Sequence, residues 1–359
     1  MNPATRPRPA ASAARHPAAW LLGLAVLVAG CFVLDIALGP VRIPPGAVVR
    51  ILLARAVEPG PWTFIVNQIR LPKALTAVLV GSGLAVSGLQ MQTLFRNPLA
   101  SPSVLGISAG AGLGVAALLL AGGSAASVAI IRQLGLGGSW ALVAAATAGA
   151  GLVMALVLGL SARVRDNVVM LIVGMMISSL SVAIVSLWQY FSAPEQIQEY
   201  LLWTFGSLGG VVGPQLAVLA LAVGAGLLLA FASAKPLNAL LLGENYARSL
   251  GLTVGRSRTL IIASTSLLAG AITAFCGPIG FVGIAVPHLT RALLRTADHR
   301  LLLPGACLAG AALTLACDCI TQLPGSQTSL PLSVVTSLLG APVVLWVVLR
   351  RQNIRSSLS

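Results

Sequence analysis

The strongest candidate for covalent chemistry is a serine in the string Gly106-Ile107-Ser108-Ala109-Gly110, which has the Gly-x-Ser-x-Gly spacing of a nucleophile elbow. An intramembrane serine hydrolase would also need a histidine near Ser108, and His288 is the histidine that falls within an apolar run. The residues from Ile107 to Gly114 are mostly small, as close packing between membrane helices requires. The pattern therefore favours helix packing at Ser108 and leaves a serine–histidine dyad as a remote alternative.

Two further kinds of chemistry are disfavoured by residue type and spacing. Cys317, Asp318 and Cys319 are adjacent, and neighbouring residues on a helix point in different directions, so the two thiols would diverge. We expect no metal site, no disulfide framework and no cofactor. A P-loop needs a lysine after glycine, whereas Lys73 follows proline and Lys235 follows alanine. We therefore expect no enzyme activity in this chain, so any coupling to ATP must come from a partner.

The composition indicates which kind of secondary structure carries these residues. Of the 359 residues, 57% are hydrophobic and 8% are charged, whereas roughly a quarter are charged in a soluble domain. Disordered chains are poor in apolar residues, so disorder is also excluded. The apolar runs are continuous rather than alternating, which indicates membrane helices and not a barrel. The net charge is +14, but a nucleic-acid site would need a soluble basic surface, and the sequence predicts none. We therefore expect the chain to be surrounded by membrane lipid.

Nine stretches without Asp, Glu, Lys or Arg can each hold a membrane helix of roughly 20 residues. The stretch 259–290 is divided by Cys276-Gly277-Pro278-Ile279-Gly280, which raises the prediction to ten spans. The first apolar stretch is longer than the core of a signal peptide and no clear cleavage site follows it, so we interpret it as an uncleaved span. The predicted spans are 18–38, 74–94, 104–121, 139–161, 168–191, 213–232, 259–276, 280–294, 301–320 and 333–349.

The distribution of cationic residues predicts the orientation. Both termini in the cytoplasm place 16 of the 22 lysine and arginine residues on the inner side. The predicted domains are a cytoplasmic tail (1–17), one ten-helix domain (18–350) and a second cytoplasmic tail (351–359). Acidic residues within spans are limited to Asp35 and Asp318, near the outer ends. The lack of ionisable groups near the midplane disfavours an ion-coupled secondary transporter, which we keep as an alternative.

Four strings of the sequence resemble the FecCD/BtuC family of permeases in bacterial ABC importers. The resemblance implies an all-α, BtuC-like (type II ABC importer) homodimer in the inner membrane, with two copies of an ATPase subunit and a periplasmic substrate-binding protein. It implies a bulky substrate, either cobalamin or an iron chelate, and we favour ferric siderophore or haem. The strings are RLPKALTAVLVGSGLAVSGLQMQTLFRNPLASPSVLGISAGAGLG (70–114), GENYARSLG (243–251), GFVGIAVPHLTRALLRTADHRLLLPG (280–305) and LPLSVVTSLLGAP (330–342).

The resemblance also assigns the segment 233–258 to short coupling helices that dock in a cleft of the ATPase. A glutamate near the start of a helix favours the helix dipole, and a glycine can end the helix. An alanine and a leucine three residues apart would form an apolar contact with a groove. A solvated loop is the alternative. The implied coupling residues are Glu244, Ala247, Arg248, Leu250 and Gly251.

An inner gate is implied at the cytoplasmic ends of two spans. Asn97 and Leu99 match the family in a loop that two prolines keep from forming a continuous helix. Asp166 and Asn167, before the fifth span, would supply the second gate element, with a plain turn as the alternative.

Contacts with the binding protein are implied at Arg70 and Lys73, which match family positions that pair with acidic residues of that protein. Attraction of both cations to lipid headgroups is the alternative. The family usually has an arginine where this chain has Gln322, a glutamate at Ser329 and a glycine at Ser333, which puts one outer ionic contact in doubt. Pro287-His288 and Asp298-His299-Arg300 also match family strings, and we interpret them as structural caps.

Overall fold

The computed structural model describes residues 17–53, 60–121, 138–163, 166–322 and 330–356. All regular structure within these ranges is helical, which confirms the predicted all-α class for this part of the chain. The helices are α1 (Pro17–Ala37), α2 (Pro45–Leu52), α3 (Pro61–Leu94), α4 (Ile107–Ala121), α5 (Gly138–Arg163), α6 (Asn167–Phe191), α7 (Pro194–Thr204), α8 (Pro214–Ala232), α9 (Ala234–Leu241), α10 (Glu244–Ser249), α11 (Val254–Cys276), α12 (Val282–Leu294), α13 (His299–Thr321) and α14 (Leu332–Ser356).

Ten of these helices carry the apolar segments expected from the sequence. Within the described ranges, seven helices are long and apolar enough to cross a membrane, namely α1, α3, α5, α6, α8, α11 and α13. Three shorter apolar helices, α4, α12 and α14, overlap the remaining predicted spans. The order of apolar elements is therefore confirmed, while ten crossings and two cytoplasmic termini stay predictions.

The centre of the molecule is α3, which packs against α8, α11, α12 and α13. Glycine allows the closest of these approaches: a Cβ on Gly81 would overlap the backbone of Gly310, and a Cβ on Gly88 would overlap the backbone of Gly283. Small residues let helix backbones meet closely in a membrane, where apolar side chains gain nothing by leaving lipid. The core therefore depends on close backbone contact around α3.

The predicted break between spans seven and eight is confirmed. Helix α11 ends at Cys276, and Gly277 adopts a φ of +72°, where a side chain would meet the carbonyl oxygen of Trp203. Helix α12 then begins at Val282. Only glycine adopts the left-handed region without steric cost, so Gly277 permits the sharp change of direction.

The second span begins much earlier than predicted, at Pro61 rather than at residue 74. The prediction stopped at Lys73 and Arg70 because both are charged. The helix continues through them because the structure neutralises Lys73 with Asp318 and surrounds the Arg70 guanidinium with backbone carbonyls. A charged residue therefore does not end a membrane helix when its partner lies inside the protein.

Candidate functional site

Two short helices, α9 and α10, form the connection between α8 and α11 where the sequence predicted coupling helices. Gly243 (φ +107°) precedes α10, and Gly251 (φ +81°) follows it. The Gly251 N–H donates to the carbonyl oxygen of Arg248 at 2.9 Å, as expected of a glycine that ends a helix. Glu244 occupies the first turn, and its carboxylate lies 3.4 Å from the Arg248 guanidinium. The local geometry predicted for this segment is therefore observed.

The apolar surface of this connection differs from the predicted one. Ala247 is fully buried against the rest of the protein, whereas 61% of Leu250 is exposed. Helix α10 ends at Ser249, so Leu250 lies in the following turn and no longer shares a helix face with Ala247. The expected apolar pair of Ala247 and Leu250 is not formed. The exposed apolar side chains of the connection, here called the coupling patch, are Leu241, Leu242, Tyr246 and Leu250.

A hydrogen-bond network around the buried His299 ring, which no pattern in the sequence indicates, fixes α9 to the bundle. The Asn238 side chain donates to Asp298 Oδ1 at 2.6 Å, and Asn238 Oδ1 accepts the backbone N–H of His299 at 2.8 Å. The His299 ring is fully buried, with Nδ1 2.8 Å from Asn238 Oδ1 and Nε2 2.9 Å from Thr93 Oγ1. The network thus connects α9, the start of α13 and the end of α3.

The predicted capping role of Asp298 is observed. Asp298 Oδ1 accepts the backbone N–H of Arg300 at 2.9 Å, at the start of α13. This hydrogen bond is the main reason why the pKa of Asp298 is lowered, and the Asn238 side chain adds to it. The carboxylate is therefore held in its charged form, which suits the positive end of a helix dipole.

The loop that carries Asn97 and Leu99 is held in a defined turn. Asn97 Oδ1 accepts the backbone N–H of Leu99 at 3.0 Å, and the Leu99 side chain is 44% exposed. His288 on α12 lies with Nε2 2.8 Å from the carbonyl oxygen of Pro98. Behind the loop, Gln92 accepts a hydrogen bond from Arg291 at 2.5 Å. The loop is therefore fixed to α3 and α12, with the apolar side chain of Leu99 projecting outward.

The structure does not bring Ser108 and His288 together as a dyad. Ser108 Oγ lies 3.3 Å from Thr273 Oγ1 on α11, in a packing position. The His288 ring instead forms a hydrogen bond with the carbonyl oxygen of Pro98. This arrangement supports the packing interpretation of the Gly-x-Ser-x-Gly string.

The second gate element consists of a helix start. Asp166 Oδ1 accepts the backbone N–H of Val168 at 2.7 Å, and Asn167 is the first residue of α6. Asp166 is therefore an N-cap, which satisfies one of the free N–H groups of the helix. This geometry matches the plain-turn alternative, and a gate role for Asp166 and Asn167 stays a prediction.

Arg70 is a structural residue rather than an exposed docking cation. Only 6% of it is exposed, and one guanidinium nitrogen donates to the carbonyl oxygens of Ile36 at 2.7 Å and Ala37 at 3.1 Å. The other donates to the carbonyl oxygen of Val41. The guanidinium N–H groups of Arg70 thus satisfy backbone carbonyl groups at the point where the chain leaves α1. We therefore correct the predicted docking role of Arg70.

Lys73 belongs to a cluster of charged and polar groups at the same end of the bundle. Its ammonium lies 2.9 Å from Asp318 Oδ2, and the Asp318 side chain is 3% exposed. The Gln322 amide donates to Asp318 Oδ2 at 2.9 Å and to Asp35 Oδ1 at 3.3 Å. Gln322, at the usual family position of an arginine, thus bridges two buried carboxylates. Lys73 acts inside the protein here, which leaves little of it free for a partner or for lipid. Ser329 lies outside the described residues.

Comparison with known proteins gives a consistent result. The profile of the FecCD transport family matches residues 25–350. The vitamin B12 import system permease protein BtuC of Salmonella paratyphi A is 37% identical over 337 residues, which cover 94% of this chain and 96% of that protein. BtuC of Escherichia coli O17:K52:H18 is 36% identical over 337 residues, covering 92% of this chain and 95% of that protein.

A solved structure named as an inward-facing conformation of an ABC transporter of metal-chelate type superposes with a TM-score of 0.76. It is 28% identical in sequence, and the match covers 92% of this chain and 99% of that one. The family match, the identity to BtuC over most of the chain and the seven apolar helices agree with one another. The chain therefore belongs to the FecCD transport family and is a multi-pass inner-membrane permease subunit of an ABC importer of the BtuC/FecCD type.

Proposed function

We propose that two copies of this chain form the translocation path for a bulky metal chelate, delivered by a periplasmic binding protein and moved by two copies of a separate ATPase subunit. The chelate classes are cobalamin and iron chelates such as ferric siderophores and haem. The similarity to proteins named as vitamin B12 permeases supports cobalamin as the first candidate. The similarity to a metal-chelate transporter supports the wider class.

The coupling patch is the observation that supports this function best. Four apolar side chains of α9, α10 and their adjoining turns are exposed at one end of the bundle. Leu242 and Tyr246 line a common pocket with Arg96, which directly precedes Asn97. An amphipathic segment of this kind fits an apolar groove on a partner. The two lysines of the chain both lack the preceding glycine of a P-loop, so the partner would supply ATP hydrolysis. The coupling role extends to Glu244, Arg248 and Gly251, which shape α10.

Uptake by the reconstituted importer tests this function. We expect vesicles that contain the permease, its ATPase subunit and its binding protein to accumulate cyanocobalamin, haem or a ferric siderophore only when ATP is supplied to the ATPase side. The permease alone should show no accumulation and no ATP hydrolysis. Accumulation by the permease alone in response to a proton or sodium gradient would instead establish the alternative, an ion-coupled secondary transporter.

Exposed arginines of the outer segment are better docking candidates than Arg70. Arg50 lies on α2 and Arg42 lies shortly before it, and both are exposed. We propose that they meet acidic residues of the binding protein, since exposed charges of opposite sign steer association.

Reversal of these two charges tests the docking surface. We expect Arg42→Glu combined with Arg50→Glu to slow association with the binding protein and to reduce its salt dependence, because rim charges act mainly on the association rate. Surface plasmon resonance across a salt series measures both effects. Arg300→Glu, at the opposite end of α13 from Asp318, is the matched control and should leave docking unchanged. Equal rates and salt slopes for the double variant and the unmodified protein would remove Arg42 and Arg50 from the interface.

A further inference from the structure

The connection that follows α3 contains an arginine in an unusual backbone conformation. Arg96 has a φ of +49°, in the left-handed region. Just after the end of a helix this conformation is usually adopted by glycine, because glycine has no Cβ. A long side chain with a positive φ is uncommon, and such conformations are concentrated at functional sites. The Arg96 side chain is therefore a candidate for a role that glycine could not serve.

The guanidinium of Arg96 lies beside the start of α10. A Cβ added to Gly243 would lie 3.8 Å from Arg96 Nη1, and Arg96 is exposed. Within the part of the chain that the structure describes, the Arg96 side chain forms no hydrogen bond and no ion pair. A guanidinium has five N–H donors, so this end of the bundle presents a cation whose donors are open to a partner.

A cavity of about 510 Å³ separates Arg96 from the coupling segment. Its lining includes Leu242 and Tyr246 of the coupling patch, so the cavity is continuous with that surface. Its lining also includes the carboxylate of Glu244, which lies 3.4 Å from the Arg248 guanidinium and forms no ion pair with Arg96. The cavity thus combines apolar walls with one cation that the described residues do not neutralise.

The group that fits this cavity best is a carboxylate of a protein partner. The planar fork of an arginine matches the two oxygens of a carboxylate, and the resulting pair of hydrogen bonds is stronger than neutral ones. Apolar walls strengthen the pair further, because they exclude water and lower the local dielectric constant. Since the cavity is shared with the coupling patch, the partner that covers the patch would also supply the carboxylate.

We propose that Arg96 binds a carboxylate side chain of the ATPase subunit, in the cavity between the start of α10 and the loop that carries Asn97 and Leu99. The proposal rests on the function proposed above, in which the coupling patch docks on the ATPase. It adds a second point of contact, because Arg96 directly precedes Asn97. The ATPase would then touch the predicted gate loop itself as well as the coupling helices.

Substitution by glycine tests the contact without straining the fold. Arg295 is a matched control, because it is exposed, follows α12 with a φ of +48° and does not line the cavity. Glycine suits the left-handed backbone at both positions, so neither Arg96→Gly nor Arg295→Gly should lower the thermal unfolding midpoint. We expect Arg96→Gly to weaken the affinity for the ATPase in detergent roughly tenfold and to reduce its salt dependence, whereas Arg295→Gly should change neither.

Chemical cross-linking tests the identity of the partner group. A water-soluble carbodiimide activates a carboxylate, which then forms an amide with a nearby amine and releases the reagent as a urea. The background variant is Lys235→Arg, which removes the exposed lysine of the chain. In the assembled complex, adding Arg96→Lys should produce a peptide that joins position 96 to an aspartate or glutamate of the ATPase. Adding Arg295→Lys instead should produce no such peptide at position 295.

The possible outcomes separate this proposal from the function on which it rests. If Leu250→Asp releases the ATPase while Arg96→Gly retains full affinity, the coupling patch stands and the proposed contact of Arg96 is overturned. Equal losses of affinity for Arg96→Gly and Arg295→Gly would also overturn it, by showing a general attraction between charges. Unchanged ATPase affinity together with lower retention of phosphatidylglycerol in Arg96→Gly would assign the cation to lipid headgroups instead.

Discussion

Replacing Leu250 by aspartate is expected to abolish ATP-driven uptake by releasing the ATPase subunit. Leu250 is 61% exposed and lies beyond the end of α10, so the change removes little internal packing. Burying a leucine in a partner is worth roughly 1.5–3 kcal/mol, which corresponds to a loss of affinity of roughly 10- to 100-fold. The dissociation constant of the permease–ATPase complex in detergent measures the effect.

Two neighbouring substitutions separate a docking defect from a folding defect. Ser249→Asp introduces the same charge at an exposed polar position and should change the affinity much less. Ala247→Asp places the charge in the core and should lower thermal stability, because an unpaired charge is costly to bury. If Leu250→Asp retained full ATPase affinity and uptake, the coupling patch would not be the docking surface.

Replacing Lys73 by methionine is expected to destabilise the protein strongly. The substitution removes the ammonium that lies 2.9 Å from Asp318, and it leaves the buried carboxylates of Asp318 and Asp35 with the Gln322 amide. Breaking a buried ion pair from one side costs about 3–5 kcal/mol, since the remaining charge stays desolvated. A large fall in the thermal unfolding midpoint in detergent is the expected result.

The chain offers a control and a rescue for this prediction. Lys235 is the other lysine of the sequence and is exposed at the opposite end of the bundle, so Lys235→Met should leave the midpoint nearly unchanged. Combining Lys73→Met with Asp318→Asn removes both charges of the pair and should recover much of the stability. Similar midpoints for Lys73→Met and Lys235→Met would show that the ion pair does not stabilise the fold.

The order of the apolar helices could be predicted from the sequence because a helix that crosses a membrane requires a continuous run of apolar residues. The start of α3 could not, because the partners of Arg70 are carbonyl groups about 30 residues earlier in the chain, and no local pattern reveals them. The same cause explains the incorrect docking role. A cation such as Arg70 is exposed or internal depending on tertiary contacts, and the sequence string is identical in both cases.

The local geometry of the coupling segment was predictable, but the direction of its side chains was not. Glycine at positions 243 and 251 sets the ends of α10 through backbone conformation, which is a local property. The burial of Ala247 and the exposure of Leu250 depend on how α10 lies against α11 and α9. Asn238 gave no signal in the sequence, since a single asparagine in a short helix has no characteristic spacing to its partners.

The network of Asn238, His299 and Thr93 makes the end of the bundle that carries α9 mechanically stiff. A force applied to α9 reaches the end of α3 through two hydrogen bonds of the His299 ring, one of 2.8 Å to Asn238, which is partly buried, and one of 2.9 Å to Thr93, which is buried. Sliding α9 alone would take Asn238 away from the buried His299 ring and leave Thr93 as its remaining partner, so the network favours displacement of α9, α13 and α3 together. The loop with Asn97 and Leu99 begins only a few residues after Thr93. A displacement of α9 that moves the end of α3 would therefore also move this loop.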